Sequence, residues 1–282
     1  MQVEPWAGDL AGGPGPRRRA ELVRDLWQHR GFIASLVRRE FQLRSARAVW
    51  GSAWLVIQPA LQIVIYTVIF AEVLRAKLPG VSDRLAYGLF LCAGVITWGY
   101  FAELVSRSQT LFLDHAEILK TIRFPRSTLP VALWISATLN FAIIASLFLV
   151  ALLLLGRWPG WPLLGALPLL ACQALLGLGV GVLTGTLNVF YRDVGHAVNI
   201  ILQFWFWLTP IVYPLEVVPA QLRGGFAWNP MLHLVSGYQG IVLGHAQPDW
   251  RAVTAVAVGA AFLGFAAWQV FRGLSPDLVD EL

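Results

Sequence analysis

The sequence predicts an all-α integral membrane protein with six transmembrane helices, and two observations carry that prediction. The first is composition: 57% of the residues are hydrophobic, only 13% are charged, and the mean hydropathy is +0.64, outside the usual range of soluble domains. The second is the length of the apolar runs, because a spanning helix needs about 20 mainly apolar residues. Such runs occupy roughly residues 52–74, 86–104, 129–155, 163–190, 196–214 and 250–271.

The segment between the last two runs is expected to remain on the outer side. Its apolar part, MLHLVSGYQGIVLG at 231–244, is too short for a full crossing and is typical of a re-entrant or interfacial helix. We therefore predict re-entrant outer helices within residues 215–247, before the sixth span.

Positive charge gives the orientation, because cytoplasmic loops are enriched in Lys and Arg. With the N-terminus inside, fifteen of these residues fall on inner segments and six on outer ones. Both termini are therefore expected on the cytoplasmic side. The basic pI then reflects membrane topology and lipid contact and does not indicate nucleic acid binding, since most of the excess charge lies in the N-terminal segment.

The domain plan has four parts. Residues 1–16 are rich in Gly and Pro and are expected to be disordered. Residues 17–49 alternate arginines with apolar residues, which is typical of an amphipathic helix on the inner membrane surface, with Gly31 as a candidate break. That helix is either an anchor for anionic lipids or a lever that frames a cytoplasmic partner. Residues 50–272 form the six-span domain, and 273–282 form a cytoplasmic tail.

Several function classes lack the residues that they need. Ion-coupled transport requires ionisable side chains deep in the membrane, and we expect the acidic residues near the spans, Glu72, Glu103 and Asp193, at span ends. Nucleotide hydrolysis needs a Gly-Lys-Ser/Thr loop, and neither Lys77 nor Lys120 follows a glycine. An embedded glycosyltransferase or phosphatase would need clustered acids or a His/Asp set. We expect no enzyme activity in this chain, so any energy must come from another subunit.

No metal or disulfide chemistry is predicted. Cys92 and Cys172 both fall within spans, and His233 and His245 have no Cys, Asp or Glu at ligand spacing.

The first span carries amides in an otherwise apolar run, WLVIQPALQIVIY. Polar and aromatic residues recur in it every four residues, at Trp54, Gln58, Gln62 and Tyr66. This spacing places the four side chains on one helix face, which we call the first polar stripe. An unsatisfied amide in hydrocarbon costs roughly 2–7 kcal/mol. The stripe is therefore expected to face protein or water.

The fifth run repeats this pattern in NIILQFWFWLTPIVYP. Its amides and aromatics, the second polar stripe, are Asn199, Gln203, Trp207 and Tyr213. Sugar rings have apolar faces that stack on aromatic rings and hydroxyls that bond to amides, so two such stripes favour a glycan conduit. The alternative is an aromatic belt at the lipid interface together with hydrogen bonds between helices.

Two further segments have simpler interpretations. The fourth span contains Gly177, Gly181 and Gly185 at four-residue spacing, which predicts close helix packing, either within one subunit or between two. Residues 105–130 contain a short amphipathic stretch with a proline stop, which is suited to docking in another protein's groove or is a solvated loop helix.

Four stretches together resemble the membrane permeases of ABC-type polysaccharide and polyol phosphate exporters, which include O-antigen, capsule and teichoic acid exporters. They are LVRREFQLRSARAVWGSAWLVIQPALQIVIYTVIF, EILKTIRFPRSTLPVA, LNVFYRDVGHAVNIILQFWFWLTPIVYP and NPMLHLVSGYQGIVLG. Their order and spacing carry the resemblance, which covers roughly residues 20–272.

The resemblance implies a permease homodimer that pairs with two ATP-binding cassette subunits, which bind ATP and Mg. It implies a cytoplasmic interface helix, a coupling helix between spans two and three, and a conduit lined by spans one and five at the dimer interface. The implied substrate is a glycan on a polyprenyl diphosphate lipid, moved across the bacterial inner membrane.

The resemblance also carries roles to individual positions. It places both polar stripes on conduit spans and assigns to the coupling segment Glu117, Lys120, Arg123 and Arg126. Arg192 and Asp193 close span four at the cytoplasmic surface, where we expect an ion-paired anchor near the entrance for the lipid diphosphate, since arginine suits forked phosphate contacts.

Two other functions remain open at this point. An ABC permease for a drug or a small lipid has the same six-span plan, but it would expose an apolar path, and the glutamines weigh against that. An uncoupled channel would work without an ATPase, so association with an ATP-binding subunit separates it from an exporter.

Overall fold

The computed structural model describes residues 27–45, 53–68, 85–121, 124, 126–244, 247–275 and 278–281, and every regular element in these ranges is helical. The α-helices are α1 (Arg30–Ser45), α2 (Trp54–Val68), α3 (Ala86–Asp114), α4 (Ala116–Thr121), α5 (Thr128–Leu154), α6 (Ala166–Phe190), α7 (Asp193–Trp207), α8 (Ala220–Phe226), α9 (Pro230–Leu243), α10 (Trp250–Leu274) and α11 (Leu278–Glu281). Short 3₁₀ turns cover Trp161–Gly165 and Leu215–Val217.

Four helices in the described part of the chain are long and apolar enough to cross a membrane. They are α3, α5, the segment Trp161–Phe190 that contains α6, and α10. These helices coincide with the second, third, fourth and sixth predicted spans. The all-helical class is therefore confirmed, and the four helices are those of a multi-pass membrane protein.

The first and fifth predicted spans are shorter in the structure. Helix α2 has 15 residues, and residues 69–74 of the predicted first span lie outside the described ranges. Helix α7 also has 15 residues, which gives about 22 Å at 1.5 Å per residue. That is less than the hydrocarbon core of about 30 Å, so the region predicted as a span at 196–214 is not one continuous spanning helix.

Helix α3 is the central element of the described bundle. It packs against α2, α5, α6, α7 and α9, and its Phe101, Leu104 and Val105 side chains are fully buried. Helix α9 also belongs to this core, because Met231 and Leu234 are fully buried against the same cluster. The short apolar helix predicted before the last span therefore packs on α3 and α6. Its re-entrant placement in the membrane remains a prediction.

The three glycines of α6 face α3 within the chain. A Cβ atom built at Gly177 would lie 2.9 Å from a Leu104 methyl carbon, and one at Gly181 would lie 2.5 Å from the Ser108 Cβ atom. A Cβ at Gly185 would overlap the carbonyl group of Ser108. The two backbones thus approach as closely as only glycine permits, and the structure places this packing face inside one subunit.

Helix α3 continues past the predicted end of span two, to Asp114. The segment predicted as the coupling loop, 105–130, therefore begins as the last part of α3. Glu103, expected at a span end, lies well inside the helix. Its oxygens bind Arg107 and Asn140. Because α3 extends past the predicted end of span two, the position of Glu103 at the end of the membrane span stays a prediction.

The chain ends described by the structure pack against the bundle. Helix α1 begins at Arg30, directly after a turn at His29 that follows helical residues 27 and 28, so the helix is interrupted close to the candidate break at Gly31. The Ile33 and Val37 side chains of α1 are buried against Ala132 of α5. Leu278 of α11 is 1% exposed and belongs to the cluster around α3 and α10. Residues 1–26 and 46–49 of the predicted tail and amphipathic segment lie outside the described residues.

We predict that Gly181→Ala lowers the free energy of unfolding by about 1–3 kcal/mol, since the added methyl group overpacks the contact with Ser108. The matched control is Gly259→Ala in α10, where an added Cβ meets no atom within 4 Å. The control should keep or slightly raise stability. Thermal unfolding of both purified variants in the same detergent measures the difference, and equal transition temperatures would contradict the close contact.

Candidate functional site

The first polar stripe lies on α2 and is largely exposed. Trp54 is 48% exposed, Gln58 and Gln62 are exposed, and Tyr66 is half-buried. The Gln62 Nε2 atom donates a hydrogen bond to the Tyr66 hydroxyl, with 3.2 Å between the heavy atoms. The structure thus joins an exposed amide to an aromatic ring one turn away, and that ring packs against the core cluster that contains Ile63 and Cys92.

The second polar stripe is divided between α7 and the chain after it. Asn199, Gln203 and Trp207 lie on α7 and are exposed. Tyr213 lies beyond the end of the helix, where its hydroxyl donates to the carbonyl oxygen of Trp207 at 2.6 Å. This hydrogen bond holds Tyr213 next to Trp207, at the end of the stripe. Tyr213 itself is not on the helix, contrary to the prediction.

A proline and a set of hydrogen bonds from Asn229 together account for the end of α7. Pro210 has no backbone N–H and cannot continue a helix. Beyond it, the Asn229 amide donates to the carbonyl oxygen of Leu208 at 3.1 Å and to the Thr209 hydroxyl at 2.9 Å. The Asn229 side-chain oxygen in turn accepts from the Trp205 indole at 2.8 Å and caps the start of α9. We call this group of contacts the α7–α9 junction.

The opposite end of α7 is held by another polar group, the α3–α7 junction. The Asn188 oxygen accepts from the Gly195 backbone N–H at 2.8 Å, and its amide donates to the Gln109 carbonyl oxygen at 2.9 Å. The Gln109 amide donates to the Gly195 carbonyl oxygen at 3.1 Å and to Asn199 at 3.4 Å. Asn199 therefore also has a structural role, which sequence periodicity did not indicate.

The two stripe helices share α3 as a neighbour. Helix α2 packs against α3 and α5, whereas α7 packs against α3 and α6. Around each stripe, the exposed apolar side chains of α2 and α7 are Val56, Leu61, Val64, Ile65, Ile200, Ile201 and Phe204. These outward faces mix aromatic, amide and aliphatic groups, so they combine apolar contact area with donors and acceptors of hydrogen bonds.

Arg192 and Asp193 stand at the start of α7. Arg192 is the residue before the helix and Asp193 occupies its first turn; both are exposed. Within the described part of the chain, neither forms an ion pair, so the expected ion-paired anchor is not formed there. An exposed arginine at a helix start leaves its guanidinium group available to an anion.

The predicted coupling residues have different environments. Glu117 and Lys120 lie on α4 and are exposed. Arg126 is half-buried, and its guanidinium group donates to the Ser275 hydroxyl at 2.9 Å. Arg123 lies outside the described residues. The acidic and basic pair on α4 is thus the part of this segment that projects outward.

A cavity of about 830 Å³ lies beside α4, between α1, the end of α3 and the start of α5. Its walls combine the apolar side chains of Leu111, Leu129 and Leu133 with the charged side chains of Arg107 and Glu117. The cavity lies between α1 and α4, for each of which contact with a partner is one of the two interpretations of the sequence.

Sequence reasoning missed a group of charged residues at this site. The Arg107 guanidinium group lies 2.6 Å from a Glu40 oxygen and 3.0 Å from a Glu103 oxygen. Asn140 of α5 donates to the other Glu103 oxygen at 2.7 Å. We call these four residues the ion cluster. The four-residue spacing of Glu103 and Arg107 is typical of a helical ion pair and was the available signal.

Cys92 and Cys172 are both buried, and both are free thiols. The Cys92 sulfur packs next to α2, 3.8 Å from the carbonyl oxygen of Ile63. In the described ranges no group of three or more His, Cys, Asp or Glu residues is arranged to hold a metal ion.

Comparison with known proteins gives one family match and several relatives. Residues 32–243 match the family described as ABC-2 type transporter. The chain is 29% identical over 263 residues to the O-antigen export system permease protein RfbA of Myxococcus xanthus, covering 93% of this chain and 99% of that protein. It is 27% identical over 208 residues to the protein of the same name from Klebsiella pneumoniae, covering 73% of this chain and 78% of that one.

A more distant relative transports a different polysaccharide. The chain is 20% identical over 206 residues to the polysialic acid transport protein KpsM of Escherichia coli, covering 72% of this chain and 78% of the relative. The relatives therefore have polysaccharide transport in common.

Proposed function

Since the chain belongs to the ABC-2 type transporter family, we propose that it is the membrane subunit of an ABC exporter for a polyprenyl-diphosphate-linked, O-antigen-like polysaccharide. The observation that carries this proposal is the exposure of amide and aromatic groups along α2 and α7. The nearly full-length similarity to an O-antigen export permease supports the substrate class.

The assembly that we propose contains two copies of this chain and two ATP-binding cassette subunits in the bacterial inner membrane. Six spans, with both termini cytoplasmic, place α1 and α4 on the side where ATP is available. The partner subunits bind ATP and Mg and hydrolyse the nucleotide, and the exposed Glu117 and Lys120 on α4 contact them.

The conduit that we propose is formed where the two copies meet. The outward faces of α2 and α7 line it, so that sugar rings stack on Trp54 and Trp207 while hydroxyls exchange hydrogen bonds with Gln58, Gln62 and Gln203. Such contacts are shallow and repeated, which allows successive sugars to move without a deep binding well. Arg192 lies at the proposed entrance and binds the lipid diphosphate.

We predict that the tagged protein, purified from native membranes in mild detergent, carries an ATP-binding cassette subunit at a near one-to-one ratio. Quantitative mass spectrometry of the purified complex measures that ratio. The control is an unrelated multi-pass protein with the same tag. An intact permease that carries no ATP-binding subunit would favour the uncoupled channel.

We predict that Gln62→Leu combined with Tyr66→Leu lowers glycan export about tenfold, since the pair loses contacts of roughly 0.7 kcal/mol each. Lipid-linked glycan should accumulate inside the cell, while assembly with the ATP-binding subunit stays normal. The matched control is Val64→Leu, an exposed apolar position on the same helix. Surface and internal glycan are both measured, and wild-type export by the double variant would remove α2 from the conduit.

We predict that Arg192→Ala raises the substrate concentration needed for half-maximal stimulation of ATP hydrolysis about tenfold or more, because a charged hydrogen bond to phosphate is lost. Arg192→Lys keeps the charge but loses the fork, and it should lie between the alanine variant and the wild type. The measurement uses the purified complex titrated with lipid-linked glycan. Unchanged export and affinity in the alanine variant, at normal protein levels, would exclude this residue from the entrance.

A further inference from the structure

We propose that Arg107 is a positioning residue that couples helix α1 to the membrane bundle, so that movement of α4 is transmitted to α1, α3 and α5 together. This inference rests on the proposed function, because the movement originates in an ATP-binding partner. The geometry of the ion cluster is its basis.

The cluster joins three helices through one guanidinium group. Arg107 of α3 lies 2.6 Å from Glu40 of α1 and 3.0 Å from Glu103 of its own helix. Glu103 is in turn fixed by the Asn140 amide of α5, at 2.7 Å. A guanidinium group presents several N–H donors in a rigid plane, so it can hold two carboxylates in a fixed arrangement, which a lysine cannot do.

The cluster is partly buried. The side chains of Arg107, Glu40 and Glu103 are 25%, 27% and 18% exposed. One positive charge faces two negative charges, so removal of Arg107 would leave two carboxylates close together in an apolar bundle. In such surroundings, removing one partner of an ion pair is strongly destabilising because the other charge is left uncompensated. The link therefore resists separation of α1 from α3.

Arg107 also lies on the path from the proposed coupling contact. Helix α3 continues without a break from Arg107 to Asp114, and α4 begins at Ala116. About 10 Å of helix, at 1.5 Å per residue, separates Arg107 from the end of α3. A displacement of α4 therefore reaches Arg107 through a rigid element and passes to Glu40 through a short ionic contact.

Other contacts of α1 are apolar. Ile33 and Val37 pack on Ala132 of α5, and the Phe32 ring lies 5.0 Å from the Phe124 ring. Apolar contacts are not directional and allow helices to slide. The ion pair is directional and short, so it fixes the position of α1 along α3 as well as its distance.

The test compares three variants in the purified complex in lipid nanodiscs and in cells. Glu40→Gln removes the ionic link to α1 with almost no change in shape. The matched control is Arg38→Gln, which removes a charge from an exposed position of the same helix. The third variant combines Glu40→Arg, Arg107→Glu and Glu103→Gln, which restores the ion pair between α1 and α3 with its charges exchanged and leaves no second carboxylate beside the new one.

The readout is the amount of glycan exported per ATP hydrolysed, which a loss of folded protein alone does not change. Glu40→Gln should lower this ratio about tenfold or more while assembly is kept, because the coupled contact is lost. Arg38→Gln should keep the wild-type ratio, and the charge exchange should restore most of it.

Two results would overturn the inference. One is a wild-type ratio in Glu40→Gln. The other is a parallel loss of protein and export that the charge exchange does not restore, which would make the cluster merely structural. A wild-type chain that binds no ATPase or exports no glycan would instead refute the proposed function.

Discussion

The buried side-chain amide N–H groups of this apolar bundle find acceptors on neighbouring helices, and that constraint determines where the helices meet. Three glutamines show it. The amide of Gln173 donates to the carbonyl oxygen of Thr97 at 2.5 Å, that of Gln239 to Phe90 at 3.3 Å, and that of Gln109 to Gly195 at 3.1 Å. Two of these acceptors and one of these donors belong to α3. The central helix is thus held by hydrogen bonds to its backbone as well as by packing.

The same constraint separates structural polar groups from exposed ones. Asn188 and Gln109 are almost fully buried and bond to neighbouring helices, whereas Gln58 and Gln203 are exposed on the outer faces of α2 and α7. An exposed amide in a membrane helix has to meet another protein surface, water or a polar ligand. In an exporter built from two such chains, the exposed amides of α2 and α7 would contact the second copy and the sugar chain.

The sequence was sufficient to predict the long helices but not their neighbours. The runs at 129–155 and 250–271 correspond to Thr128–Leu154 and Trp250–Leu274, since length and hydropathy determine such spans. The end of α7 was missed because Asn229, 21 residues after Leu208, replaces the helical hydrogen bonds. The ion cluster was missed because Glu40, which pairs with Arg107, and Asn140, which donates to Glu103, are distant from both in sequence. Within the candidate site, periodicity placed Gln62 and Tyr66 on one face but gave no sign that Asn199 also supports α7.

The α7–α9 junction has a consequence for how the chain is made. Leu208 and Thr209 leave the ribosome before Asn229, which donates hydrogen bonds to both of them. Until Asn229 is synthesised, the C-terminal end of α7 lacks this donor for the two oxygens. Insertion of this region is therefore completed late, when α9 docks on α3 and closes the junction. Because α9 is synthesised after α7, the last part of α7 completes these hydrogen bonds only when α9 is present.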